Sequence, residues 1–299
     1  MIQARGLGKR YGDVAAVSDL SFDVSPGTVT GFLGPNGAGK STTMRLMLGL
    51  DQGAGRTEFG GRSYAELPDP LGTVGVLLDA RAVHPARTAH GHLRMIAAGA
   101  GISRARVAQV LELVGLSSVA SKHTGGFSLG MHQRLGLAAA LLGDPAILML
   151  DEPANGLDPE GVRWLRTFLK ELAAQGRTVF VSSHLLNETA HLADSLIVIG
   201  AGRLIAAEPV ADFVARNAAT HTLARSDRPD VLARTLAGRG MRAHLDTDGA
   251  VIVDGDQRET IAAIAMRAQV MLLELSVSRA SLEDAFFRAT ATSAQYRTR

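Results

Sequence analysis

Three short runs of β-branched and other apolar residues, each leading into a segment of helical period, constrain this chain more than any other feature. "VTGFLG" leads into "KSTTMRLMLGL", "AILMLDEP" into "PEGVRWLRTFLKELAAQG" and "TVFVSSH" into "LLNETAHLA", and a fourth run, "SLIVIGAGRLIA", closes the series. Strands that are apolar throughout, rather than in alternation, must be covered on both faces, so the series predicts an α/β domain with a mostly parallel sheet. The helix after Asp158 shows the pattern most clearly. Asp158 can cap it, Pro159 suits its first turn, Val162, Leu165, Phe168, Leu169 and Leu172 make its buried stripe, and Gly176 ends it.

Between about residues 85 and 142 the strand signals stop and helical periods take over, which predicts a helical insertion in the main domain. From about residue 216 the pattern changes again: a strand "THTLARS", a helix near Val231 to Leu236, a hairpin "AHLDTDGAVIVD" turning at Asp248-Gly249, a helix after Arg258, a strand "VMLLELSV" and a last helix "SLEDAFFRAT". The expected domains are therefore 1–215, with a helical subdomain at about 85–142, and a small α+β unit at 216–299.

Composition serves mainly to exclude. A length of 299 residues with 46% hydrophobic content supports an ordinary core, and a net charge of +2 without like-charge runs gives no reason to expect a nucleic-acid partner. The absence of cysteine excludes disulfides, thiolate catalysis and Cys-type zinc sites. The N-terminus lacks the apolar core of a signal peptide, and the longest charge-free stretch, Val24 to Gly39, is too short and too rich in Gly, Pro and Asn to span a bilayer, so a soluble cytoplasmic chain is expected.

"GPNGAGKST" satisfies the phosphate-loop pattern G-x-x-x-x-G-K-S/T and lies between a predicted strand and a predicted helix. Its members are Gly34, Pro35, Asn36, Gly37, Ala38, Gly39, Lys40, Ser41 and Thr42. The glycines let backbone amides converge on a nucleotide's phosphates, the helix N-terminus adds its dipole, Lys40 adds a point charge and Ser41 can ligate magnesium. Only four lysines occur in the chain, and Lys40 is one of them. In "AILMLDEP", Asp151 ends an apolar strand where a carboxylate can hold the magnesium through its water shell. Glu152, one residue on, is placed to orient and activate an attacking water.

With these elements the chain resembles the nucleotide-binding subunits of ABC transporters, over nearly its whole length. The family signature, usually LSGGQ, corresponds to Phe127-Ser128-Leu129-Gly130-Met131: Ser128 and Gly130 match, whereas Leu129 replaces a glycine and Met131 the glutamine. The resemblance implies a P-loop NTPase core of the ABC ATPase type with a helical insertion subdomain, plus the small α+β C-terminal domain found on antibiotic-export and multidrug-type ATPases. It implies ATP and Mg2+ as ligands, with Ser128 and Gly130 acting on the ATP of a second copy in a head-to-tail homodimer.

Tyr11 stands where the family places an aromatic that stacks on adenine, and Asp158 in "GLDP" resembles the loop that crosses the dimer interface. His184 resembles the switch histidine that contacts the γ-phosphate. The strand "VGVLLD" puts Asp79 where the family has a magnesium-ligating, γ-phosphate-sensing glutamine, and no glutamine occurs between Gln52 and Gln109. His84, His90, His92, His123, His132 and His191 lack paired metal-ligand spacing and are read as surface or helix-packing residues.

The function implied is a Mg-dependent ATPase that docks on a separate polytopic transmembrane permease at the inner face of the membrane and powers export. Two alternatives stay open: a soluble family member without a membrane partner, and a nucleotide sensor that does not turn over.

Overall fold

The computed structural model describes residues 1–217, 220–278 and 281–290. They fall into two compact units, one built from Met1–Val210 with Thr290 and the other from Ala211–Ala289.

The first unit opens with β1 (Ile2–Tyr11), β2 (Val14–Val24), β3 (Val29–Leu33), α1 (Lys40–Met47) and β4 (Ala54–Phe59). A single turn α2 (Pro70–Thr73) leads into β5 (Val74–Leu77), and then α3 (Ala89–Gly99), α4 (Arg104–Leu113) and α5 (Leu129–Leu141) form the helical insertion. The chain returns through β6 (Ile147–Asp151), α6 (Pro159–Ala174), β7 (Thr178–Ser183), α7 (Leu186–Leu192), β8 (Ser195–Gly200) and β9 (Arg203–Pro209).

The main sheet has the order β5-β6-β7-β3-β8-β9, parallel except for the antiparallel β8–β9 pair. "SLIVIGAGRLIA" is therefore a hairpin rather than one strand. It turns at Ala201 and Gly202, both in the left-handed region at φ 48° and 74°. Neighbouring residues of one strand serve opposite cores. Leu148 and Leu150 pack with the helical insertion and α6, while Ile147 and Met149 face the other way with Phe32 and Phe180. That second face is covered by α1 and by an antiparallel sheet of order β2-β1-β4, which the apolar periodicity did not reveal. Phe22 of β2 reaches across to Phe32 and Phe180, each ring centroid 5.9 Å from its own.

Asp158 caps α6 as expected, its carboxylate accepting from the Gly161 amide at 2.8 Å, and Leu165, Leu169 and Leu172 form the buried stripe. No described helix is long and apolar enough to cross a membrane.

The second unit contains α8 (Val210–Asn217), β10 (His221–Ser226), α9 (Pro229–Ala237), β11 (Ala243–Leu245), β12 (Val251–Asp254), α10 (Arg258–Arg267), β13 (Leu272–Ser278) and α11 (Leu282–Thr290). Its antiparallel sheet runs β11-β12-β10-β13. Ala224, Val251 and Val253 pack against Leu232 and Leu236 of α9 and Ile261 and Ile264 of α10. Leu245 pairs with Val251 across the hairpin at Asp248-Gly249.

Candidate active site

Every residue of β3 is buried, so the strand can end only by delivering its loop to the sheet's C-terminal edge. There Leu33 lies beside Ser183, and Asp151 lies beside Ser182 on the next pair of strands. The loop after β3 enters α1 through Gly39 at φ 102°, where a Cβ would stand 2.4 Å from the Ala16 carbonyl oxygen. Only glycine lets β2 close on the loop at that point.

Lys40 opens α1 with its side chain 8% exposed. Its ammonium donates to the Gly34 carbonyl at 2.8 Å and the Pro35 carbonyl at 3.5 Å, and stands 3.8 Å from Glu152 Oε1. Burial pulls its pKa down, and the charges of Glu152 and Asp151 oppose that fall. In front of it is a cleft of about 440 Å³ lined by Asn36 through Thr42 together with Ala16, Glu152, Asn155 and His184.

Asp151 ends β6 almost fully buried, with a hydroxyl on each carboxylate oxygen. Ser41 Oγ donates to Oδ2 at 2.6 Å, and Ser182 Oγ donates to Oδ1. Glu152 follows with φ 49°, left-handed for a residue that has a Cβ. Its amide donates to Ser182 Oγ at 2.9 Å, and one carboxylate oxygen lies 2.8 Å from His184 Nδ1. A further acid, Glu188 of α7, has its carboxyl pushed up by burial, with Glu152 adding to the rise and His184 opposing it. Sequence reading missed Ala16, Asn155, Ser182 and Glu188. Asn155 alone carried a signal, since it lies three residues beyond Glu152.

The structure thus brings Asn36 to Thr42 of the phosphate loop, Glu152 and His184 together around one cleft, while Asp151 does not line it and stands behind Ser41 through the hydroxyl it accepts from. Gly34 and Pro35 sit at the loop's base as acceptors for Lys40 and do not line the cleft. Neither do Tyr11, Asp79, Ser128 or Gly130. Tyr11 is 51% exposed, donates to Asp51 at 3.2 Å, and has the Lys9 ammonium 5.0 Å from its ring centroid. Asp79 is exposed beyond the end of β5 and accepts from the Arg81 amide at 2.8 Å, capping its own turn.

Ser128 caps α5 and accepts from the Met131 amide at 3.2 Å. A Cβ on Gly130 would approach the Gly156 carbonyl oxygen to 2.8 Å, and Leu129 lies over Gly156. The start of α5 therefore packs on the loop between Glu152 and Asp158. Of the remaining histidines, His92 is buried in α3, and among the described residues no cluster of His, Asp and Glu could hold a metal.

A family model described as ABC transporter matches residues 17–155, from β2 past Glu152. The bacitracin transport ATP-binding protein BcrA of Bacillus licheniformis is 35% identical over 301 residues, with 96% of this chain and 96% of that protein covered. The chain belongs to the ABC transporter family. It is an ATP-binding subunit of that family, a P-loop ATPase that powers a transporter.

The same reach holds for the uncharacterized ABC transporter ATP-binding protein YhcH of Bacillus subtilis (strain 168), 33% identical over 97% of this chain and 96% of that protein. A solved structure of an ATP-binding subunit of an ABC transporter superposes with a TM-score of 0.66 at 27% identity, covering 72% of this chain and 92% of that one. A second family model, described as a domain of unknown function, matches residues 220–283 of this ABC subunit, within its second unit.

Proposed function

We propose that this subunit drives export, acting as a head-to-tail homodimer on a separate polytopic permease at the inner face of the cell membrane. One observation carries the reading. Lys40, Ser41, Glu152 and His184 line a single cleft, with Asp151 held behind Ser41, while Ser128 and Gly130, a second backbone site suited to phosphate, do not line it. A second copy turned end to end supplies what the first copy's cleft lacks. The bacitracin transport relative, similar along its whole length, favours export of a peptide-like or otherwise amphipathic compound.

In this reading the loop amides and Lys40 hold the β- and γ-phosphates, and Tyr11 turns from Asp51 to stack on adenine. Glu152 takes the proton of the attacking water, and His184 keeps the Glu152 carboxylate aimed into the cleft. A magnesium ion fits the residues present, because Ser41 Oγ and Asp151 Oδ2 form an oxygen-only pair 2.6 Å apart at the phosphate end of the cleft. When bound, it would neutralise charge on the phosphate oxygens.

Asp79 extends the same proposal to magnesium sensing. Replacing it by glutamine is expected to retain hydrolysis but to shift the activating magnesium concentration upward, since a neutral amide binds the ion less strongly than a carboxylate. An unchanged magnesium titration would confine Asp79 to the turn it caps through Arg81.

The test of the whole proposal is purification of the tagged chain from detergent-solubilised native membranes. A stoichiometric complex with a polytopic protein, whose ATPase rate responds to the exported compound, is expected. A chain that hydrolyses ATP at full rate only in the soluble fraction, and never enters such a complex, would overturn it.

A further inference from the structure

Gln133 lies on α5, five residues beyond Ser128, and is only 8% exposed. Its side-chain nitrogen donates to the backbone carbonyl of Glu152 at 3.3 Å, while its side-chain oxygen is buried without a partner. A buried amide that leaves its oxygen unpaired destabilises the fold relative to an apolar side chain of similar volume. Its contribution must therefore be sought in the carbonyl it holds.

That carbonyl belongs to a peptide under strain. Glu152 sits at φ 49°, a conformation that a residue with a Cβ keeps only where its surroundings over-determine it. Ser182 of β7 fixes the amide side of this residue at 2.9 Å. On the carbonyl side the Asn155 amide, from the same loop, donates at 3.2 Å, and Gln133 is the donor that arrives from a separate element. The separate element is α5, the helix whose first residues are proposed above to meet the partner's nucleotide.

We propose that Gln133 is a positioning residue for ATP hydrolysis. Its amide holds the Glu152 peptide in the left-handed conformation and so links the aim of the Glu152 carboxylate to the placement of α5. The inference rests on the reading of Glu152 as the residue that activates water. It goes further by naming the contact through which a nucleotide bound at the start of α5 can influence hydrolysis in the other cleft.

The test compares the purified full chain with its Gln133→Leu, Gln133→Glu and Glu152→Gln variants, measuring kcat, KM, the Kd of a non-hydrolysable ATP analogue and the melting temperature. Loss of one donor to a strained catalytic peptide is expected to lower kcat about ten-fold in Gln133→Leu, with KM and Kd within about two-fold of the parent. The melting temperature of that variant should be equal or higher. Gln133→Glu keeps the shape but sets an acceptor against the carbonyl, and should lose kcat at least as far.

A fall in melting temperature with unchanged kcat per folded molecule would reduce Gln133 to packing and overturn the proposal. If Gln133→Leu does not fold, the kcat of Gln133→Glu decides. An inactive Glu152→Gln beside fully active Gln133 variants would overturn this inference alone, whereas normal turnover in Glu152→Gln would overturn the reading of Glu152 and this inference with it.

Discussion

Replacing Glu152 by glutamine is expected to lower steady-state ATP hydrolysis by about a thousand-fold, within the range spanned by positioned general bases. The substitution preserves side-chain volume, the backbone amide's bond to Ser182 and the bond the backbone carbonyl accepts from Gln133, so the fold and the left-handed turn should persist. What disappears is a carboxylate 2.8 Å from His184 and 3.8 Å from the Lys40 ammonium, and with it the acceptor for a proton from water. ATP should still bind, and because the cycle stops before hydrolysis the nucleotide-bound dimer should accumulate. Sedimentation velocity with ATP and magnesium would show the variant shifted toward dimer while the parent stays mostly monomeric. A variant that turns over normally would remove Glu152 from the chemistry.

Replacing Lys40 by alanine is expected to act one step earlier, on binding. The ammonium is buried at the base of the cleft, where its interaction with phosphate is little screened by solvent. Its loss should raise the Kd for ATP by at least about a hundred-fold, in line with removal of a desolvated charge-assisted contact. Hydrolysis would fall with it. A fluorescent ATP analogue titrated against both proteins separates this outcome from that at Glu152, where affinity is kept and turnover is lost. Retained affinity in the Lys40 variant would mean that the backbone amides of Asn36 to Thr42 suffice to hold the phosphates.

The two residues behind these predictions could be singled out in the sequence because each belongs to a short local motif. A phosphate loop needs glycine, lysine and serine at set offsets between a strand and a helix, and the chain spells them out in nine consecutive residues, Gly34 to Thr42. The buried parallel strands were legible for a related reason, since both faces are covered and the apolar run is continuous. The sheet β2-β1-β4 was not. Leu20, Phe22 and Val24 of β2 do alternate with Ser21 and Asp23, but over five residues only, and β1, whose register against β2 shifts three times, keeps no matching period of two to mark its partner.

At the site, what escaped the sequence is tertiary. Ser182 matters because β7 lies beside β6 and sets its hydroxyl between Asp151 and the amide of Glu152. Gln133 matters because α5 passes behind that same peptide. Neither residue belongs to a spacing pattern that chemistry alone would demand. Asp79 is a different case: it is singled out because the resemblance puts it in the place of a magnesium-ligating glutamine, and its carboxylate here accepts from the Arg81 amide.

The left-handed backbone at Glu152 also bears on how this protein would respond to engineering. Glycine at that position would relieve the strain but remove the carboxylate, and a leucine at Gln133 would remove a buried unpaired oxygen but slow turnover about ten-fold, so neither change lowers stability while both cost activity. A library screened for heat resistance alone would accumulate well-folded proteins of impaired activity, and the enrichment of substitutions at these two positions would itself mark where the fold gives up stability for catalysis.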